Sequence, residues 1–200
     1  WYRLLLDEYG VPYTVLHDPL DDPVDYWANL GNYFDVIVLS DVSRSTLVTG
    51  RNSGPPDYRG GIGTAGVDKL KAFVNGGGTL LTMGNGYQFA MTDLGIPITN
   101  GLQGAPRPEF YCPGSLLQTE IDDPSSPVAF GYNAKPGDKL DVYFASSPAF
   151  SVTDPTKVKT IISYPDTGNL LRSGWLLDTA NRLPGKVGAL EAAYGSGKVV

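Results

Sequence analysis

The run Asp35-Val36-Ile37-Val38-Leu39-Ser40-Asp41 is continuously β-branched and aliphatic, and polar residues close it at both ends. An apolar stretch of that length without alternation is the pattern of a strand buried on both faces of a parallel sheet. Parallel strands cannot be joined by a tight turn, so such a chain must also supply crossover helices. Ligands of these sheets are met at the carboxyl ends of the strands, which here places a candidate crevice beside Asp41.

The flanking sequence supplies the crossovers. Apolar residues from Tyr2 to Tyr9 recur at near-helical spacing, and Gly10 with Pro12 provides the stop. Tyr13 to Leu16 reads as a short strand, followed by an acidic, proline-punctuated stretch from Asp18 to Asp25 and a short helix through Tyr26, Trp27 and Leu30. After a Gly- and Pro-rich loop from Gly50 to Gly63, the spacing of Val67, Leu70, Lys71, Phe73 and Val74 marks an amphipathic helix. Asn75-Gly76-Gly77-Gly78 ends it, and Thr79 to Met83 forms a second buried strand. This alternation predicts an α/β fold: a flavodoxin-like, doubly wound, mostly parallel sheet with right-handed crossovers.

Beyond Gly95 the pattern changes. Short apolar or alternating runs at Leu116 to Ile121, Val142 to Ala145, Val158 to Tyr164, Trp175 to Leu177 and Val187 to Ala193 are separated by Pro, Gly, Asp and Asn, so the second half is β-rich. One domain over residues 1–200 accounts for the chain, and a β-rich subdomain over 105–200 is compatible with the pattern. Trp1 at the start and an apolar run at Val200 read as the ends of a piece of a longer protein.

Charge and composition narrow the partners. Fifteen basic against 21 acidic residues give a net charge of -6, and the positive residues are scattered apart from the loose set Lys135, Lys139, Lys157 and Lys159. Nucleic acid rewards clustered Lys and Arg, so it is not an expected partner. No stretch approaches the roughly 20 apolar residues of a membrane span, so membrane insertion is not expected either. The single cysteine, Cys112, excludes an intrachain disulfide and leaves the compartment open.

Several motifs suggest chemistry that their context opposes. Gly61-Ile62-Gly63-Thr64-Ala65-Gly66 fits GxGxxG, but it follows Pro55-Pro56-Asp57-Tyr58-Arg59 rather than a strand, and residue 86 is glycine where a ribose-binding acid would stand. Gly195-Ser196-Gly197-Lys198 lacks the other glycine of a phosphate loop and reads as a hairpin turn. Asp18, Asp21, Asp22 and Asp25 lack the spacing of a calcium loop and read as a solvated acidic loop. Cys112 in Tyr111-Cys112-Pro113-Gly114-Ser115 has no histidine nearby in sequence and reads first as a small buried thiol, with a displaced nucleophile as the sharper alternative.

The segment Gly77-Gly78-Thr79-Leu80-Leu81-Thr82-Met83-Gly84-Asn85-Gly86-Tyr87-Gln88 resembles the strand and nucleophile elbow of class I glutamine amidotransferases. The resemblance implies a cysteine at the strand-to-helix turn, then glycine two residues on and glutamine four residues on. Matching Gly86 and Gln88 to that frame puts Gly84 at the nucleophile position, with no side chain to attack a carbonyl. The family's late histidine is missing as well, since the one histidine is His17. A thiolate mechanism needs both groups, so the elbow Gly84, Asn85, Gly86 is degenerate and no catalytic residue is expected.

Tyr58 to Gly63, Phe110 to Ser115 and Ser173-Gly174-Trp175-Leu176 are similar to amidotransferase-like domains appended to secreted zinc carboxypeptidases. That resemblance implies an extracellular or periplasmic accessory domain without a cofactor or metal of its own, whose partners are other domains of the parent protein. The family's first strand normally precedes the first helix, and its absence here raises a second expectation, a self-assembling module that completes its sheet with copies of itself into rings or filaments. A third is a hydrolase with a non-standard site around Cys112. Should a crevice bind a ligand, Asp41, Arg59, Asn85, Glu109 and Cys112 are the candidates, because Asn85 offers donor and acceptor, Asp41 an acceptor, and Arg59 a fork for a carboxylate.

Overall fold

The computed structural model describes residues 2–17, 24–51, 53–55, 59–132 and 134–200. It divides into two compact units: unit 1 comprises Trp1–Phe89 with Tyr194–Lys198, and unit 2 comprises Ala90–Ala193 with Val199–Val200. The expected α/β fold is what the chain adopts, with the helices in the first half and a β-rich second half.

Unit 1 holds helices α1 (Tyr2–Glu8), α2 (Arg44–Thr49), α3 (Gly63–Asn75) and the first residues of α4 (Tyr87–Thr92), with strands β1 (Val36–Leu39) and β2 (Thr79–Thr82). The two strands pair in parallel, with Val36 opposite Thr79 and Leu39 opposite Thr82. α3 forms because Val67, Leu70, Phe73 and Val74 share one face, and all four are buried. Gly78 lies against Phe73 so closely that a Cβ there would come within 2.3 Å of the ring. Gly195 and Gly197 return to this unit, where Ser196 N donates to Asn75 O at 3.0 Å and Lys198 N to Gly78 O at 3.2 Å.

Three expectations for this half are corrected. β1 is not covered on both faces: Ile37 and Leu39 are buried, whereas Val36 is 51% and Val38 44% exposed. It stands at the end of its strand order beside β2, and alternation therefore covers one face only. Residues 13–16 form no strand, since four residues without an adjacent partner gain no ladder hydrogen bonds. The short helix through Tyr26 and Leu30 is two separate 3₁₀ turns, Tyr26–Ala28 and Leu30–Asn32. The aspartates 18, 21 and 22, with Tyr58, lie outside the described residues; Asp25 caps the first of those turns through Ala28 N at 3.0 Å.

Unit 2 is a set of short strands: β3 (Ile98–Asn100), β4 (Phe110–Tyr111), β5 (Ser115–Ile121), β6 (Lys139–Phe144), β7 (Phe150–Val152), β8 (Val158–Ser163), β9 (Leu171–Ser173), β10 (Leu177–Asp178) and β11 (Val187–Tyr194), while β12 (Gly197–Val199) follows the Gly195-Ser196 turn. β11, β8, β5 and β6 are successive neighbours, β7 joins β11 to β3, β9 joins β5, and β4 pairs with β10. The pairings in this unit are antiparallel. Strict alternation along β5 buries Ser115, Leu117, Thr119 and Ile121. Leu117 joins Cys112, Phe144, Ala149, Tyr164, Leu170 and Leu183 in the core. Among the described residues no helix is long and apolar enough to cross a membrane.

Candidate functional site

The elbow follows from strand register. Leu39 and Thr82 are partners at the ends of β1 and β2, so the residues two positions on, Asp41 and Gly84, emerge side by side. Met83 N donates to Leu39 O at 2.9 Å and keeps the two exits together. The chain then turns through Gly84-Asn85-Gly86 into α4, with Gly84 at φ 52. That left-handed conformation disfavours any residue with a Cβ.

Space makes the requirement stricter. A Cβ at Gly84 would lie 2.6 Å from both Cγ and Oδ1 of Asp41. The Asp41 carboxylate thus occupies the position that a nucleophile's side chain would need. Its Oδ1 accepts from Asn85 N at 2.8 Å and from Asn85 Nδ2 at 2.9 Å. In hydrolytic elbows the backbone N–H after the nucleophile is an oxyanion donor, and here an internal carboxylate already holds that N–H.

The rest of the frame has structural partners too. A Cβ at Gly86 would stand 3.1 Å from Leu39 O and 3.2 Å from Ser40 O, so glycine lets the turn approach the end of β1. Gln88 Oε1 accepts from Arg44 N at 3.0 Å, and Ser43 caps α2 by accepting from Thr46 N at 3.2 Å. Asp41–Asn85 and Arg44–Gln88 together latch the β1–α2 connection onto the elbow. The sequence frame identified Gly84, Asn85, Gly86 and Gln88; Arg44 and Ser43 went unnoticed, although Ser43 just before Arg44-Ser45-Thr46 is an N-cap signal.

The other candidates have different settings. Arg59 belongs to unit 1, and its Nε donates to Gly54 O at 2.7 Å, inside its own loop. The base of that loop is closed where a Cβ on Gly50 would meet Arg59 O at 2.0 Å. His17 accepts from Trp27 Nε1 through its backbone carbonyl at 2.9 Å. In unit 2, Glu109 is paired with Arg182, whose Nε lies 3.1 Å from Oε2 and whose Nη2 contacts the same oxygen. Arg182 is in turn oriented by Asp178, which accepts from Arg182 N at 2.7 Å and Leu183 N at 2.9 Å. Cys112 is buried in the unit 2 core, and burial pushes its thiol pKa up, opposite to the direction that makes a nucleophile. Among the described residues no group of three or more His, Cys, Asp or Glu side chains is arranged to hold a metal ion.

Two segments of the second resemblance meet in unit 2. The Ser115 hydroxyl donates to Trp175 O at 2.7 Å and accepts from Trp175 N at 2.9 Å. Gly174, at φ 100, passes so near that a Cβ would lie 2.9 Å from Gly114 O.

No family model matches the chain, and no curated protein matches it. Among solved structures it is similar to a cytoplasmic protein from Salmonella typhimurium, at 18% identity and a TM-score of 0.55, covering 100% of this chain and 72% of that one. A putative thua-like protein from Bacteroides uniformis is also similar, at 13% identity and a TM-score of 0.48, covering 100% and 70%. The likeness to the first of these shows an α/β fold, as expected from the sequence.

Proposed function

We propose that this chain is a non-catalytic accessory or binding domain, an amidotransferase-like scaffold whose elbow now works as a latch. The observation that carries the reading is the Asp41 carboxylate at the place of the missing side chain, hydrogen-bonded to both donors of Asn85. The parent is proposed to be a larger exported protein of the zinc-carboxypeptidase kind; the supporting feature is the pair of motifs around Ser115 and Trp175, which resemble domains appended to such enzymes and which lock together here. Glutaminase, peptidase and esterase assays on the purified chain test the first reading, with no turnover above buffer expected. Turnover that disappears in Cys112→Ala would replace it by the hydrolase reading, which the burial of that thiol disfavours.

A second reading, a self-assembling structural module, is favoured by one observation: β1 ends its strand order with Val36 and Val38 exposed. Free strand edges recruit strands from other chains. Light scattering tests it, with growth into large species expected at high concentration and a constant monomer mass contradicting it.

A further inference from the structure

We draw no further inference here: the strongest candidate, the outer edge of β1 in unit 1 with Val36 and Val38 exposed along it, belongs to the self-assembly reading already given, and nothing in the structure shows what covers it.

Discussion

Asp41 at the elbow of unit 1 and Ser115 in unit 2 both use one side-chain oxygen to hold two groups of a distant residue, across 44 and 60 residues of chain respectively. Their surroundings differ. Asp41 and Asn85 are exposed, so water competes for each hydrogen bond and its loss is compensated. Ser115 is 3% exposed and both of its hydrogen bonds to Trp175 are partly buried, so water replaces them less readily when the hydroxyl is removed. The elbow latch therefore shapes a site at little energetic consequence, whereas the Ser115 clamp is part of what keeps its unit folded.

Substitutions should separate the two in that order. Gly174→Ala should be the most damaging, about 3 kcal/mol or more, because it combines a strained φ with contact against backbone; urea unfolding measures it. Ser115→Ala should cost about 2 kcal/mol in the same experiment. Asp41→Ala should cost only about 1 kcal/mol, and a loss equal to that of Ser115→Ala would break the contrast. The Cys112 thiol should react with a disulfide reagent at least about tenfold more slowly in the folded chain than in urea. Smallest is an acid effect at Asp154, whose pKa is lowered chiefly by its hydrogen bond from Thr156, with Lys157 adding to it. Its contribution is present above the unfolded carboxyl pKa and is lost as pH falls through the lower folded value. Asp154→Asn should therefore lower the melting temperature slightly at neutral pH, leave it nearly unchanged at acid pH, and so flatten the acid limb of the profile.

How far residues predicted these features depended on the range of the interactions. The run Val36–Leu39 announced a strand, but not that Val36 and Val38 would face outward, because hydrophobicity does not say what covers each face. α2 was missed since Arg44-Ser45-Thr46-Leu47-Val48-Thr49 is rich in weak helix formers and is stabilised by a cap and by Gln88. The alternating runs of the second half were legible as β5, β6, β8 and β11 because period-2 patterning is local. At the site, Gly84, Asn85 and Gly86 were visible as a frame, and Asp41 as a strand-end candidate. That Asp41 fills the space beside Gly84 depends on the β1–β2 register, which no local pattern encodes. Arg182, the partner of Glu109, lies 73 residues away and carried no signal.

The most direct test of the account is a double-mutant cycle between Gly84→Ala and Asp41→Gly, read by urea unfolding. If the carboxylate fills the place of the missing side chain, Gly84→Ala should cost about 3 kcal/mol with Asp41 present and about 1 kcal/mol in the Asp41→Gly background, where only the left-handed backbone penalty remains. Equal costs in the two backgrounds would contradict it.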